Sequence, residues 1–468
     1  MYTFEAADNL DIKEVFDLYG RYSNQELPNI YGKFSFGREI FARASGAYLY
    51  TRDGKEIFDF TGGLGVANMG HNHPRIAKVR RAFLERDYTE IHKNYLNRFL
   101  AALSANLAEI LPGSLNYSFF CNSGAEAVEG ALKIAYKYHG AIRNFVLRSD
   151  RSFHGKTLGA GSLSYGDNFV AGNARFSFQK IPGVLTYNFN DPDSVRALIE
   201  EVNGSVYAIF VEPFSCSTLT ESSERFLKEV RKICDEREIL LVFDEIYSGF
   251  AKCGPNFYME KYGVIPDIVC LSKSLGGGKS SISAYVSTNE VYRTAYGTVA
   301  GALMHSTTYN SFGEECATAL EAINILAEER LSERALNLEK LLRDRLGALV
   351  QKYPSQLKEW RGAGTHFGVI FQPKFEFLQP LLQFVPITFV QDPNFLKKVI
   401  VTAAIEEYYD RAQTICAFTS NQDVILNFSP PPIADPDEVD RRLQKFGEVL
   451  ETGVGICAAN FLKKNFTR

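Results

Sequence analysis

The chain has 468 residues, 46% of them hydrophobic, enough for a large core in two to four domains or one large fold with an appendage. Lys and Arg number 51 against 55 Asp and Glu, so a net charge of -4 offers no basic field for nucleic acid and no polybasic patch for a membrane. The acidic start "MYTFEAADNLDIKE" lacks a signal core, and no run of about 18 apolar residues can span a bilayer, so a cytoplasmic protein with a small-molecule partner is expected.

In chain order, "GHNHP" 70–74 brings His71 and His73 together. Two histidines without a third ligand read as loop packing rather than a metal site. The eight cysteines form no C-x-x-C pair and read as reduced thiols. Short apolar runs then alternate with helix-period segments: "YSFFC" 117–121, "NFVLR" 144–148, "YAIFV" 207–211, "ILLVF" 239–243, "DIVCL" 267–271 and "SAYVS" 283–287. Continuous apolarity marks strands buried on both faces. It predicts an α/β architecture with a mostly parallel central sheet covered by helices, where ligands bind beyond the carboxyl ends of the strands.

The residues just beyond these runs carry the chemistry. After "YSFFC", Ser123 and Glu126 form an S-x-x-E capping box, and Val128, Ala131, Leu132, Ala135 and Tyr138 recur at helical spacing, which predicts a helix starting at Gly124. Its free first amides make a phosphate seat or the start of an ordinary capped helix. After "ILLVF", Asp244 ends a buried strand, where a carboxylate needs a cation, a metal or strong donors; Glu245 points the other way if the strand continues. A protonated heterocyclic nitrogen serves, and so does a structural cap. After "DIVCL", Lys273 precedes "SLGGG". The rival P-loop reading of "GGGKS" fails because the glycine it needs five positions before Gly278 is Lys273 itself. A lysine beside a carboxylate-anchored cofactor has what an amine nucleophile needs to bond an aldehyde, and the glycines predict room for the cofactor and for a lysine that swings. Pyridoxal phosphate unites the three loops: phosphate at Gly124, pyridinium nitrogen at Asp244 and aldehyde at Lys273.

The segments "FDFTGGLGVANMGHNHP" 58–74, "FFCNSGAEAVEGALKIA" 119–135, "SFHGKTLGA" 152–160, "VEP" 211–213, "VFDEIYSGF" 242–250 and "PDIVCLSKSLGGG" 266–278 resemble those of class III pyridoxal-phosphate aminotransferases. That family includes ornithine, putrescine and ω-amino acid aminotransferases on the fold-type I scaffold, and the likeness runs in unbroken order over residues 45–320. It implies Lys273 as the Schiff-base lysine and proton shuttle, and Asp244 as the partner of the pyridine nitrogen. Ser123, Gly124 and Ala125 surround the phosphate, Phe153 and Ile246 take the two ring faces, and His154 and Glu212 complete the cofactor site. Tyr247 stands where a glutamine often bonds the phenolic oxygen, which makes its hydroxyl the substitute. "MHSTTYNSFGEECA" 304–317 resembles the family's His-Gly-Ser-Thr stretch, which implies that Thr308 reaches the phosphate of the partner subunit's cofactor in a homodimer with shared active sites. There Asn310, Ser311 and Phe312 replace the usual Gly-Gly-Asn. The same likeness implies a large cofactor domain at 75–335 and a small α+β domain from both chain ends, 1–74 and 336–468; residues 331–354 read as a helix leading out of the large domain.

Two departures bear on substrate. Many members hold an α-carboxylate with an arginine just before a Pro-Pro, gated by a glutamate five residues after that of "EP". Here "NFSPPP" puts Asn427 at the arginine position and Ser217 at the glutamate position. Their joint loss is coherent, since either charge alone is left unpaired in a cleft, and it argues against glutamate/2-oxoglutarate exchange. Arg151 is the candidate substitute. The expected reaction moves an amino group from an amine or amino acid donor to an aldehyde or ketone. The apolar segment 375–398, interrupted by Pro380, Pro386 and Pro393, reads as core or dimer contact, or as a wall for a lipophilic or carrier-bound acceptor. An aminomutase or decarboxylase uses the same lysine and aspartate, and a catalytically silent cofactor-binding dimer is the alternative of another class.

Overall fold

The computed structural model describes residues 1–92, 94–165, 180–310, 312–372 and 394–466. The six apolar runs all become strands of one seven-stranded sheet: β1 (Leu115–Cys121), β2 (Phe145–Ser149), β3 (Val184–Tyr187), β4 (Val206–Val211), β5 (Leu240–Asp244), β6 (Ile268–Leu271) and β7 (Ser283–Thr288). Their spatial order is β1-β7-β6-β5-β4-β2-β3. Strands β3, β2, β4, β5 and β6 pair in parallel, while β7 runs antiparallel to both β6 and β1. The sheet is therefore mixed by one strand. The strand that no apolar run predicts, β3, is short and half-exposed along most of its four residues; the edge strand β1 is likewise only partly buried through its middle.

Burial on both faces explains the runs. Along β5, Leu241 and Phe243 enter one hydrophobic core while Leu240 and Val242 enter the other, the period-two alternation of a strand covered on each side. The helix Gly124–Tyr138 supplies Val128, Ala131, Leu132 and Ala135 to the second of these cores. A third core belongs to a four-stranded antiparallel sheet, ordered Leu357–Ala363, His366–Phe371, Val424–Phe428, Ala417–Ser420, with the helices Phe395–Ala412, Pro436–Thr452 and Val454–Phe466. It also takes in Phe34, Ala47, Phe58 and Phe60 from near the chain start. The helix Leu331–Lys352 links the bodies: Leu331 packs in the central-sheet core, Leu338, Leu342 and Leu346 in the third.

Among the described residues no helix is long and apolar enough to cross a membrane. All eight cysteines are free. His71 bonds Asp59 at 2.8 Å and His73 bonds Glu329 at 3.0 Å, so the two histidines serve different carboxylates. Most of the apolar segment 375–398 lies outside the described residues, which resume at 394 and enter the helix Phe395–Ala412.

Candidate active site

Adjacent parallel strands bring the expected residues to one edge. Asp244 pairs with Cys270 in the β5–β6 register, and Lys273 follows β6 by two residues, so carboxylate and amine leave neighbouring carboxyl ends. Asp244 is buried. Its Oδ2 accepts a 2.7 Å hydrogen bond from His154 Nδ1 and its Oδ1 accepts from the Ile246 amide at 3.0 Å. His154 Nε2 is buried with no partner.

Beside this pair, Glu212 after the end of β4 accepts the amide of Phe153 at 2.8 Å and so fixes the "SFHG" turn. Burial pushes its carboxyl up to about 7, with His154 opposing and Asp244 adding to the shift. Glu245 does turn the other way: it is buried and accepts from the Tyr258 and Met259 amides and from Ser248 Oγ, a structural role.

The helix begins at Gly124 as expected. Ser123 is its N-cap, and Glu126 Oε2 accepts the amides of Asn122 and Ser123, completing the capping box. A Cβ on Gly124 would stand 2.9 Å from Ile246 Cδ1, and one on Gly155 (φ 129) would stand 2.9 Å from the Ala125 Cβ. The absence of side chains at these two positions is what lets Ile246 and the "SFHG" turn close on the helix start.

Lys273 takes a left-handed φ of 50 at the head of the turn Lys273–Gly276. For a residue with a long side chain this is a rare conformation, and it aims the chain out of the strand direction. Of the glycines after it, Gly277 serves packing. A Cβ on Gly277 would meet Ile76 at 2.8 Å, so this glycine lets the turn pack on the helix Pro74–Glu85. The glycine against Lys273 is Gly65, where a Cβ would lie 3.4 Å from the lysine Cδ.

Tyr247 differs from expectation. Its hydroxyl bonds His366 Nδ1 at 2.8 Å and Ser429 Oγ at 3.2 Å, while its ring centroid lies 4.2 Å from Lys273 Nζ. The ring, not the hydroxyl, faces the lysine. His366 and Ser429 were not legible in the sequence; both come from chain segments far from β5. The same is true of Lys252, buried beside them with its ammonium on the carbonyls of Ser429 and Pro430, both at 3.1 Å.

Asn427 and Ser217 bring no charge to the clamp position. Asn427 is buried on the strand Val424–Phe428, and its Oδ1 has no partner. Ser217 Oγ accepts from Asn421 Nδ2 at 2.8 Å, and both groups reach the Arg151 carbonyl. The Arg151 guanidinium lies 5.0 Å from the Phe189 ring centroid, with its Nε buried and unpartnered. Thr308 is exposed on its turn, joined to neither Asp244 nor Lys273 within the chain.

These features fit pyridoxal phosphate: a glycine-cradled helix N-terminus for the phosphate, an oriented carboxylate for a ring nitrogen, and a lysine opposite. A family model for class-III aminotransferases matches residues 37–385. Solved structures agree in fold. An (S)-enantioselective omega-transaminase from Thermomicrobium roseum superposes with a TM-score of 0.80 at 23% identity, over 95% of this chain and 99% of that one. The ornithine aminotransferase of Toxoplasma gondii gives 0.79 at 22% identity, over 97% of each chain. A transaminase from the marine bacterium Virgibacillus gives 0.79 at 22%, over 90% and 94%. The fold is thus that of the fold-type I transaminases, and the chain belongs to the class III aminotransferases, enzymes that use pyridoxal phosphate.

Proposed function

We propose that this aminotransferase takes its amino group from an amine that brings no α-carboxylate to the clamp position and passes it to an aldehyde or ketone, as a homodimer with shared active sites. Bound pyridoxal phosphate supplies the electron sink and holds the amino group between half-reactions. The chain's residues divide the remaining work. The amides of Gly124 and Ala125, past the cap at Ser123, hold the phosphate at the positive end of the helix. Asp244 keeps a proton on the ring nitrogen, and His154, donating through Nδ1, holds that carboxylate in position. Phe153 and Ile246 would flank the ring, with the Phe153 backbone fixed by Glu212. Lys273 would be the residue that bonds the cofactor's aldehyde, and its amine would hold or move a proton at the substrate carbon as base and acid.

Thr308 reaches the partner's cofactor. Support for the second copy comes from the apolar side chains around its segment: Val299 is 98% exposed and Leu303 84%, apolar surface that a second copy would cover. The division into 1–74, 75–335 and 336–468 is supported by the separate cores, with the second boundary inside the continuous helix Leu331–Lys352.

The observation that carries the substrate reading is the pair of uncharged residues, Asn427 and Ser217. The test is the visible spectrum of the cofactor-loaded enzyme during separate additions of glutamate, alanine, an ω-amino acid and a diamine. A yellow band that persists with glutamate and bleaches with an amine lacking an α-carboxylate is the expected result. Bleaching with glutamate overturns it, and makes Arg151 the first residue to mutate.

A further inference from the structure

We infer that Tyr247 acts on Lys273 through the face of its ring, as a seat for the lysine ammonium, and not through its hydroxyl; this rests on the reading of Lys273 as the cofactor-bonding lysine. The hydroxyl is already engaged. His366 Nε2 lies 3.3 Å from the Cys216 carbonyl oxygen, which can only accept, so that nitrogen carries the ring proton. Nδ1 is then an acceptor, and the Tyr247 hydroxyl 2.8 Å away donates to it. Ser429 Oγ, 3.2 Å from both, donates to the tyrosine oxygen. Burial pushes His366 down to about 3, with the Lys252 and Lys273 charges adding, so the imidazole stays neutral in this role. The tyrosine's single proton is committed inward.

The ring is what remains for Lys273. Its centroid stands 4.2 Å from Nζ, and an aromatic face attracts an ammonium, more strongly where water is excluded. Gly65, with φ 87, closes over both partners: a Cβ there would lie 3.0 Å from Tyr247 Cε2 and 3.4 Å from Lys273 Cδ. The loop backbone thus keeps the lysine stem against the ring. Lys273 makes no ion pair among the described residues, which leaves the ring to steady its charge. The titratable groups around the two are His366, Lys252, Cys216 and Cys253, with Asp244 and Glu212 acting on Cys216. Burial pushes the Cys216 thiol up to about 12 and Cys253 far up, so neither thiol competes for the ammonium.

The test uses the apoenzyme and a graded ring. Capture of the cofactor needs the neutral amine: the Nζ lone pair adds to the aldehyde carbon, and the oxygen leaves as water with the two amine protons. A ring face that holds Nζ less firmly releases it sooner to the aldehyde. With phenylalanine and its mono-, di- and trifluoro analogues at position 247, the rate of yellow-band formation at pH 7 is expected to rise stepwise, by about two- to fivefold across the series, at unchanged far-UV circular dichroism. Tyr247→Met, which fills the space without an aromatic face, is expected at the fast end. Rates that are equal or fall across the series overturn the proposal. So does a difference between the wild type and Tyr247→Phe that fluorination does not extend, since the hydroxyl is then the active group. Failure of every protein, wild type included, to form the yellow band points instead to an error in the Lys273 reading.

Discussion

Lys252 is a lysine with no surface and no carboxylate within ion-pair reach among the described residues; two backbone carbonyls are its acceptors. Burial pushes it down to about 7 from 10.5, with Lys273 adding and Cys253 and Asp59 opposing. Between those values the unfolded chain holds the proton and the folded chain does not, so this group weakens the fold as pH drops from about 10 to 7, and the full penalty is present below 7. Relative to Lys252→Met, the wild type should therefore gain stability on going from pH 7 to 10, by up to about 4 kcal/mol. Melting temperatures of both proteins across that range check it; parallel curves refute it. A residue's type and neighbours in the chain were enough to single out Asp244, Gly124 and Lys273, because each follows or ends a buried strand, where a charge or a bare helix start carries a cost that a ligand offsets. They were not enough for Tyr247, whose hydroxyl could go to the cofactor or inward. That choice was made by His366 and Ser429, which lie 119 and 182 residues away along the chain.

At the scale of elements, the helix Gly124–Tyr138 was legible from its capping box and apolar spacing, and its start is where the site is most tightly built. Gly124→Ala puts a Cβ 2.9 Å from Ile246 Cδ1. The helix itself tolerates alanine well, so the strain falls on Ile246 and on whatever that side chain flanks. Cofactor affinity, measured by equilibrium titration of the apoenzyme, should fall by about tenfold while the apoenzyme's melting temperature changes little. A large loss of apoenzyme stability with unchanged affinity contradicts this. Six of the seven central strands announced themselves as apolar runs, five of them buried along nearly their whole length, but nothing local distinguishes a strand that runs parallel from one that runs antiparallel. The chain enters the antiparallel β7 through the turn after Lys273, where Gly277 packs on Ile76 of another element. The packing role of Gly277 was not legible for the same reason: its partner lies about 200 residues earlier.

For the whole molecule, the proposal of a second copy at the active site rests on the exposed apolar side chains on the approach to Thr308. The wild type should sediment at twice its 52.5 kDa chain mass, and the double substitution Val299→Asp, Leu303→Asp should sediment as a monomer that has lost most of its cofactor. A monomer that retains full cofactor affinity removes Thr308 from the shared site. By itself the sequence determined the chemistry: strand, helix and turn patterns are local, and a carboxylate, a helix start and a lysine at successive strand ends are readable wherever the sheet is parallel. Tertiary structure alone decided how those groups are supported. It bonded the Tyr247 hydroxyl to His366 and Ser429, buried Lys252 against two backbone carbonyls, and joined Ser217 to Asn421. Each of these depends on contacts between segments far apart in the chain, and a contact energy is a property of the assembled pair that neither segment carries alone.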